Sequence, residues 1–513
     1  MEKLDVAAMS VEELRQLTAS LLTAVEQKDK EIHWKDLKIS QLTHEMAILK
    51  RWRFGRASEE FHGQQRSLFE ESIEEDLGAI EIELDQQREA ALPKKIPVRA
   101  HLPLDLPRVQ IQHEPDNTVC ECGCQMRRIG EDVAEKLDYV PGTFQVEQHV
   151  RGKWVCTACE TIVQAPVPPH VINKGIPTAG LLAQILVAKY AHHMPLYRQE
   201  EIYTRAGVPI PRSSMAEWVG ACGVKLQPLA DALKALLLKR SVLHADETPM
   251  PTLRPGLKKT HRSYLWAYGT TAYDPDPVVI YDFAVGRSGE HARTFLGEWR
   301  GKLVCDDFSG YKALFEGDRP ATEVGCAAHA RRKFHELYEN HQSQIAGEAL
   351  EYYGALYDVE RKAKELGLDA DARAALRQAE AVPVSEGLHQ WLTKRLLEVA
   401  PGSATAKAIK YSLGRWVALT RYLADGELPI DNNWLENRIR PLALGRASWL
   451  FAGSDRAGRR AAVVMTLIQT ARLHDLDPYV YMRDVLERLP LTPASQIGEL
   501  LPGRWKLSRS TKH

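Results

Sequence analysis

Five short strand-like segments in the middle of the chain constrain its fold more than any other feature. They are VLHADETPM, RSYLWAYGTT, DPVVIYDFAVG, GKLVCDDF and ATEVGCAAH, all between residues 241 and 329. Each is short, rich in β-branched or aromatic residues and bounded by turn residues. A helical pattern separates the third segment from the fourth, and another follows the fifth. Three successive strands followed by alternating strand and helix predict a mixed β-sheet covered by helices, within a multidomain α/β protein.

The regions that flank these strands have helical patterns. Residues 169–240 contain two helices separated near Gly207, with the second capped near Ser213. This predicts a helix-turn-helix-like DNA-binding domain, although an ordinary pair of packed helices fits the spacing at least as well. Three more helical regions follow the strands: residues 341–425, residues 426–475, and residues 476–513 with a short basic tail.

The first 55 residues carry a heptad repeat that no Gly or Pro interrupts between positions 11 and 49. Nine of its twelve a and d positions are apolar, which predicts a coiled coil that joins two copies of the chain. Lys28 and Lys35 occupy d positions and weaken its middle. A long amphipathic helix packed on its own protein is the alternative. Residues 56–107 are acidic and then rich in proline, which predicts a partly disordered linker.

The overall composition is that of an ordinary globular protein. The 513 residues predict two to four domains, and the net charge of -1 means that any surface for nucleic acid must be locally basic. The polar N-terminus does not resemble a signal peptide, and no apolar run approaches the ~18 residues of a membrane span. These features predict a cytoplasmic protein.

Five of the eight cysteines lie within 40 positions, among the short alternating runs of residues 108–168. They are Cys120, Cys122, Cys124, Cys156 and Cys159. In a reducing compartment such a cluster favours a metal over disulfides. We expect a zinc ribbon of β-hairpins whose Zn²⁺ is held by Cys156, Cys159 and two of the upstream three. Cys120 with Cys124 has the normal spacing, and Cys122 is a substitute. A redox Cys-x-x-Cys is the rival, but no thioredoxin-like βαβ pattern surrounds it.

Three carboxylates stand at positions where the predicted fold would hold them rigidly. Asp246 ends the strand-like VLHAD, Asp306 ends KLVCD, and Glu436 lies in the polar helix DNNWLENRIRPL. We expect Asp431 to cap that helix and Pro441 to kink or end it. Its buried stripe would be Leu435, Ile439 and Leu442. Carboxylates that share a site need cations, and oxygen ligands favour Mg²⁺ or Mn²⁺. Ordinary caps and salt bridges remain the alternative.

Five motifs in order give these residues a family resemblance. LHADET, CDDFSGY, CAAHARRKF, DNNWLENRIRPLALGRASWLFAGS and LIQTARLHDLDPYVYMRDVL together resemble the insertion sequence 66 family of bacterial transposases, in its large DDE-bearing subunit. The resemblance covers nearly the whole chain. It implies an RNase H-like catalytic domain, formed by residues 241–340 and 426–475 with residues 341–425 as an insertion. It also implies that Asp246, Asp306 and Glu436 form a triad holding two Mg²⁺ or Mn²⁺ ions.

The implied activity is cleavage and strand transfer of DNA at the terminal inverted repeats of the element. Target DNA, a second copy of the chain and smaller accessory proteins of the element are the expected partners. DNA contacts are expected from Arg212, Arg331, Arg332, Lys333, Arg438, Arg440 and Arg446. Residues expected to support the triad are His329, Asn433, Asn437 and Arg440. A catalytically silent DNA-binding accessory protein and a structure-specific RNase H-like nuclease are the alternatives.

Some residues of the motifs need separate treatment. We expect Cys326 to be a buried strand residue, and His329 to support the site or touch DNA, with zinc binding by this pair the weakest interpretation. Asp307 stands where the family commonly has Gly, and the Ala447-Ser448 pair stands where Lys-Asn is common. We expect Asp306, not Asp307, to bind metal.

Overall fold

The computed structural model describes most of the chain. The described residues are 11–53, 64–87, 102, 104, 106–115, 118–119, 123–140, 142–167, 169–172, 175–253, 260–316, 320–449 and 451–505. The α-helices are α1 (Val11–Arg53), α2 (Gln64–Gln87), α3 (Ala179–Tyr190), α4 (Leu196–Arg205), α5 (Arg212–Leu237), α6 (Gly289–Leu296), α7 (Ala327–His341), α8 (Gln344–Glu365), α9 (Ala370–Leu376), α10 (Val382–Glu398), α11 (Ala404–Gly414), α12 (Trp416–Thr420), α13 (Asn433–Trp449), α14 (Asp455–Leu473) and α15 (Pro478–Arg488). The strands are β1 (Arg108–His113), β2 (Arg127–Val140), β3 (Thr143–Val155), β4 (Ile162–Gln164), β5 (Val242–Thr252), β6 (His261–Gly269), β7 (Val279–Ala284), β8 (Lys302–Cys305) and β9 (Thr322–Gly325). None of the helices in these residues is long and apolar enough to cross a membrane.

The five predicted strands form one mixed sheet in the order β7-β6-β5-β8-β9. β6 pairs antiparallel with β5 and β7, whereas β8 lies parallel to β5 and β9. This confirms the mixed sheet. One boundary was predicted wrongly: β5 does not end at Asp246 but continues to Thr252, because its second half still pairs with β6.

The two faces of this sheet pack against different groups of helices. Leu243 and Leu303 belong to a core that includes residues of α3, α5, α14 and α15. Val242 and Val304 belong to a core on the opposite face, with residues of α7, α8, α10 and α11. Residues 341–425 contain α8 to α12 and no strand, so their predicted helical character is confirmed.

The cysteine-bearing region forms a separate sheet. Its order is β1-β3-β2, with β4 paired to β3. β2 and β3 form a long antiparallel hairpin, and β4 is also antiparallel to β3, whereas β1 is parallel to it. The β-hairpins expected for residues 108–168 are therefore present.

The interpretation of residues 56–107 as a linker is wrong for α2. This helix packs on α1, and its residues Ile73, Leu77, Ile80 and Leu84 form a small core with Leu42 and Leu49. Its acidic residues are ion-paired inside the protein: Glu71 contacts Lys189, whereas Glu75 and Asp76 contact Arg460. The acidic run complements buried basic residues, so its composition does not signify disorder. Most of the proline-rich part of this region lies outside the described residues.

One part of α1 packs on its own chain, and another part is free to form the predicted coiled coil. Ile39, Leu42, Met46 and Leu49 pack on α2 within the chain, as an amphipathic helix would. Leu21, Val25 and Ile32, which precede them in the same a and d positions, are exposed. Self-association through residues 1–55 therefore stays a prediction, and only the exposed N-terminal heptads could provide it.

The helix-turn-helix-like domain of residues 169–240 stays a prediction, beside its alternative of a packed pair of helices. Gly207 has a φ of +84°, which ends the turn after α4, but six residues separate α4 from α5. Thirteen residues of α5 between Met215 and Leu237 are buried. From Met215 onward α5 packs on α2 and α14, so only its first turn could reach a DNA groove.

Candidate active site

Asp246 in β5 and Asp306, one residue beyond the end of β8, lie equally far from the last pair of these two strands. The parallel pairing of β5 and β8 ends at His244 and Val304, and each aspartate lies two residues beyond that last pair. Parallel neighbours are about 4.8 Å apart, and residues two apart share a face. Both aspartates therefore belong to the face that carries Val304, which packs toward α7.

The carboxyl group of Asp246 lies in an unfavourable electrostatic environment. It is half-buried, and its Oδ1 accepts a hydrogen bond of 2.8 Å from the backbone N–H of Glu247. Burial raises the pKa of Asp246 well above its usual range, and the neighbouring carboxylates Glu247, Glu436 and Asp306 raise it further. Asp246 is thus near enough to Asp306 and Glu436 to interact with each of them, and a cation would relieve this repulsion.

Asn432 fixes the helix that carries Glu436 against the strand that carries Asp246. Its side chain is buried, with Oδ1 2.6 Å from His244 Nδ1 and Nδ2 donating to the carbonyl oxygen of Ala245 at 3.0 Å. Its own carbonyl oxygen accepts from the N–H groups of Leu435 and Glu436. The first turn of α13 is therefore hydrogen-bonded to residues directly before Asp246. Asn432 was not among the predicted site residues, although its place between two expected polar residues in DNNWLE was an available signal.

The predicted features of α13 are found in part. Leu435, Ile439 and Leu442 are buried, which confirms the apolar stripe. Asp431 Oδ1 accepts from the backbone N–H of Asn433 at 3.0 Å, so Asp431 does bond to the start of the helix. Pro441 does not end the helix, which runs on to Trp449 because tertiary packing on β5 and β6 holds its second half.

Glu436 faces residues at the start of α7. Its Oε2 lies 3.4 Å from Arg332 Nη2, and its Oε1 lies 3.6 Å from His329 Nδ1. Both Glu436 Oε1 and His329 Nδ1 are buried atoms without a hydrogen-bond partner among the described residues. His329 therefore lies beside the triad, as expected. Cys326 is buried as expected, but it precedes α7 as its N-cap and is not part of β9.

Glu247 is a fourth carboxylate beside Asp246, and it was not among the predicted site residues. Its Oε2 accepts from Tyr311 Oη at 2.8 Å, and its Oε1 is bound by the guanidinium of Arg287 at 2.5 and 2.7 Å. Burial raises its pKa even though Arg287 and Tyr311 lower it. The motifs LHADET and CDDFSGY contain Glu247 and Tyr311, so this contact joins the two motifs that supply Asp246 and Asp306.

Asp307 points to different partners from those of Asp306. It forms an ion pair with the buried guanidinium of Arg415, and its Oδ1 lies 2.8 Å from Lys312 Nζ. Burial raises the pKa of Asp307, but Lys312 and Arg415 together hold it below its usual value. Asp306 Oδ1 instead accepts from the N–H of Phe308 at 2.9 Å.

The residues expected to contact DNA fall into two groups. Arg331 and Arg332 line an open cleft of about 520 Å³ beside Asn433, together with His335 and Arg361. Lys333, on the same helix, is exposed but lies over the ring of Tyr411. Arg440 is exposed on α13, as is Asn437. Asn433 is bonded to Asp431 through its side chain, so it supports the helix start rather than Glu436 directly.

The second group is engaged within the protein. Arg446 donates to the carbonyl oxygen of Pro249, and Arg438 donates to that of Trp434 at 2.8 Å. Arg212 begins the core helix α5, and its backbone N–H donates to Glu200. Arg456 pairs with Glu45 and Glu83, while Arg460 pairs with residues of α2. Carboxylates of α1 and α2 therefore neutralise Arg456 and Arg460 of α14.

The described cysteines of the first sheet are arranged around a tight turn. Cys124 and Cys156 belong to one small cluster with Trp154. The N–H of Cys156 donates to the carbonyl oxygen of Thr161, and Glu160 adopts a φ of +57°, which closes the Cys-x-x-Cys turn that carries Cys159. Thiolates at such a turn suit a structural Zn²⁺. Cys120 and Cys122 lie outside the described residues.

Comparisons with known proteins define the class of this chain. A family model described as the transposase IS66 family matches residues 174–460, and one described as the IS66 C-terminal element matches residues 466–502. A model of the zinc-finger binding domain of transposase IS66 matches residues 117–160, and one described as transposase C of IS166 homeodomain matches residues 41–111. The chain is a DNA transposase with a zinc-finger part. It belongs to the IS66 transposase family.

Similar proteins occur in Sinorhizobium fredii. The uncharacterized protein y4qI is 37% identical over 489 residues, which cover 91% of this chain and 89% of that protein. The uncharacterized protein y4hP is 34% identical over 495 residues, covering 92% of this chain and 88% of that protein. The family model for the zinc-finger part supports a structural zinc in this chain.

Proposed function

We propose that this transposase cleaves DNA at the ends of its insertion sequence and joins them to target DNA, using Asp246, Asp306 and Glu436 with two Mg²⁺ or Mn²⁺ ions. The observation that carries the proposal is that Asp246 and Asp306 each lie two residues beyond the last pair of the parallel strands β5 and β8, with Glu436 held near Asp246 by Asn432. The mixed sheet supports an RNase H-like catalytic domain, in which the helices of residues 341–425 are an insertion.

The donor set fits hard divalent cations. Three carboxylates offer oxygen ligands only, and this favours Mg²⁺ or Mn²⁺ over softer ions. Burial of Asp246 among carboxylates is costly without positive charge nearby, as its raised pKa indicates. When bound, a pair of such ions supplies an activated nucleophile and stabilises the leaving oxygen of a phosphodiester.

The remaining residues of the site have positioning tasks. Asn432 sets the position of Glu436, and the Glu247–Tyr311 hydrogen bond holds the segment after Asp306 against β5. The cleft lined by Arg331, Arg332 and Arg361 begins beside Glu436, and guanidinium groups there would bind the DNA backbone. Since cleavage and strand transfer are both phosphoryl transfers, one set of residues serves both steps. Chromosomal DNA as target would place the protein at the nucleoid.

The other parts of the chain would assemble the complex on DNA. A zinc ribbon in residues 108–168 would help bind the terminal repeats, and the exposed heptads of α1 would pair two copies of the chain. Smaller accessory proteins of the same element are expected partners, so cleavage is best tested with and without them.

The decisive experiment uses a labelled duplex that ends in the terminal inverted repeat of the element. We expect cleavage with Mg²⁺ or Mn²⁺, none with EDTA, and none by Asp246→Asn or Glu436→Gln. Asp282→Asn is the matched control, because burial also raises the pKa of this β7 carboxyl, yet it is not among the groups that act on Asp246. Its cleavage should persist.

Two outcomes would contradict the proposal. Specific binding of the repeat without cleavage, in the presence of the accessory proteins, would indicate a catalytically silent DNA-binding protein. Cleavage of branched DNA that is equally fast when the repeat is scrambled would indicate a structure-specific nuclease.

A further inference from the structure

Three different metal-binding side chains meet at the start of α7. The ligand atoms of Cys326, His329 and Glu436 all lie within 4.8 Å of one another. Among the described residues this is the one group of three or more His, Cys, Asp or Glu side chains that meets this criterion. The group combines a thiol, an imidazole and a carboxylate, whereas the triad has carboxylates alone.

The fold brings these ligands together from two helix starts. Cys326 is the N-cap of α7 and His329 lies in its first turn, so the spacing of three residues places both on one side of the helix. Glu436 lies in the first turn of α13. The backbone N–H of Asn432 donates to Cys326 Sγ at 3.2 Å, and the N–H of Ala327 donates to the carbonyl oxygen of Ile430 at 3.1 Å. The two helix starts are thus hydrogen-bonded to each other.

The distance between two of the ligands already suits a tetrahedral ion. With bonds of ~2.1 Å, a tetrahedral zinc places its nitrogen and oxygen ligands roughly 3.4 Å apart. His329 Nδ1 and Glu436 Oε1 lie 3.6 Å apart. That separation is too long for a hydrogen bond, and within the part of the chain that the structure describes both atoms are buried without a partner. Buried polar atoms are normally satisfied, so an ion between them would explain the pair.

We propose that Cys326, His329 and Glu436 form a binding site for a thiophilic divalent ion of the zinc class, separate from the ribbon site and sharing Glu436 with the triad. A thiolate, an imidazole and a carboxylate are all ligands of Zn²⁺, and three protein ligands leave a fourth position open. Soft and borderline ligands select against Mg²⁺. Zinc bound here engages Glu436 and therefore competes with Mg²⁺ at the triad. This competition rests on the proposed function, whereas the binding itself does not.

Cobalt(II) titration of the full-length protein tests the site without an activity assay. Cobalt bound to thiolate absorbs in the near ultraviolet, so it reports each cysteine-containing site. We expect two cobalt ions per wild-type chain, one in the ribbon and one here. Cys326→Ser should bind one, and its serine hydroxyl can still accept the hydrogen bond from Asn432. Cys222→Ser, which alters a buried cysteine of α5, is the control and should bind two.

His329→Gln provides a second variant in case Cys326→Ser fails to fold, because His329 is partly exposed and its Nδ1 has no hydrogen-bond partner among the described residues. It should weaken cobalt binding at this site by more than the roughly 10–100-fold that loss of a merely supporting residue costs. Circular dichroism checks the fold of each variant. A single cobalt ion per wild-type chain, or two in both Cys326→Ser and His329→Gln, would overturn the proposal.

Zinc inhibition of Mg²⁺-supported cleavage provides the second measurement. The zinc concentration for half-inhibition should rise more than tenfold in His329→Gln relative to the wild-type protein. Mg²⁺-dependent cleavage without a second cobalt ion would refute this site and leave the proposed function standing. Two cobalt ions without any Mg²⁺-dependent cleavage would refute the proposed function and leave this site standing.

Discussion

Asn432 Oδ1 lies 2.6 Å from His244 Nδ1, in the buried contact between α13 and β5. Both side chains are almost fully buried, and both precede a proposed metal ligand: His244 by two residues and Asn432 by four. Burial lowers the pKa of His244 to about 4, so its ring is neutral at physiological pH. A neutral ring can donate its Nδ1 proton to the amide oxygen, and this hydrogen bond ties the position of Glu436 to that of Asp246.

Replacement of Asn432 should therefore disturb both stability and cleavage. Asn432→Ala leaves His244 Nδ1 and the carbonyl oxygen of Ala245 unpaired, at a cost of about 1–3 kcal/mol in the free energy of unfolding. Cleavage of the labelled repeat should fall by about 10–100-fold, as for other residues that orient a metal ligand. Leu444→Ala is the control on the same helix, since Leu444 is exposed and has no expected role at the site. Equal cleavage by the two variants would show that Asn432 does not position Glu436.

Asp246→Asn should raise the stability of the metal-free protein at neutral pH and lower its cleavage activity. The pKa of Asp246 is higher in the folded protein than in the unfolded chain. Its contribution to stability is therefore fully present at a pH below the pKa of a free aspartate, and it is lost as the pH rises through the pKa of the folded state. At neutral pH without metal the amide variant should thus melt at a higher temperature than the wild-type protein. Cleavage should fall by at least about a hundredfold, beyond the cost of losing a supporting residue.

The difference in melting temperature should shrink toward pH 4 and reverse when Mg²⁺ is added, because only the wild-type site gains a bound cation. Melting curves by differential scanning fluorimetry over this pH range provide the measurement. A variant that is less stable than the wild-type protein in EDTA at neutral pH would contradict the account of Asp246 as a destabilising charge.

Substitutions of Asp306 and of Asp307 should have different effects on cleavage and stability. Asp306→Asn should lose cleavage and keep its fold. The family resemblance suggests that Asp307→Gly is nearly silent, but the structure adds a cost, because the buried Arg415 loses one of its two acidic partners and keeps Glu323 at 3.0 Å. We expect Asp307→Gly to lose up to about 1 kcal/mol of unfolding free energy, since Asp307 is partly exposed. An inactive Asp307→Gly beside an active Asp306→Asn would reverse the assignment.

The structure also shows why some features were predictable and others were not. Alternation and helical periodicity depend on neighbours in sequence, so the five strands and the stripe of Leu435, Ile439 and Leu442 could be predicted. The burial of Glu75 and Asp76 could not, because their partner Arg460 lies 384 and more positions away. An acidic run has the same composition whether it faces solvent or a buried arginine.

The candidate site also has features that could be predicted from the sequence and features that could not. Strand ends and a helix start identified Asp246, Asp306 and Glu436 as candidates, but periodicity could not choose between Asp306 and Asp307. The register of β8 on β5 and the pairing of Asp307 with Arg415 now support Asp306. The meeting of Cys326 with Glu436 depends on how α7 packs against α13, and nothing in the spacing of CAAH indicates it.

Self-association should depend on the exposed heptads of α1. Val25→Glu together with Ile32→Glu places charge at two exposed a positions and should convert a dimer into a monomer. Leu37→Glu is the control, because Leu37 is an equally exposed apolar residue outside the a and d positions. Light scattering after size-exclusion chromatography, or sedimentation at several concentrations, measures the mass. A wild-type chain that is strictly monomeric at high concentration, or a dimer that survives the double variant, would rule out this interface.

The zinc content of the ribbon provides the last prediction. Cys156 is fully buried and shares a small cluster with Cys124, so loss of its thiolate should remove the ion and expose apolar surface. Cys156→Ser should contain one zinc fewer per chain than the wild-type protein by elemental analysis. Because ion binding contributes directly to folding in such sites, the first sheet should become sensitive to protease while the mixed sheet persists. The proposed site at Cys326, His329 and Glu436 would hold a second zinc ion. Wild-type protein saturated with zinc should therefore hold two ions per chain, and Cys156→Ser and Cys326→Ser should each hold one. Fully folded wild-type protein that retains no zinc after purification without chelator would refute the ribbon, and an unchanged count in Cys156→Ser would place the ion on other cysteines.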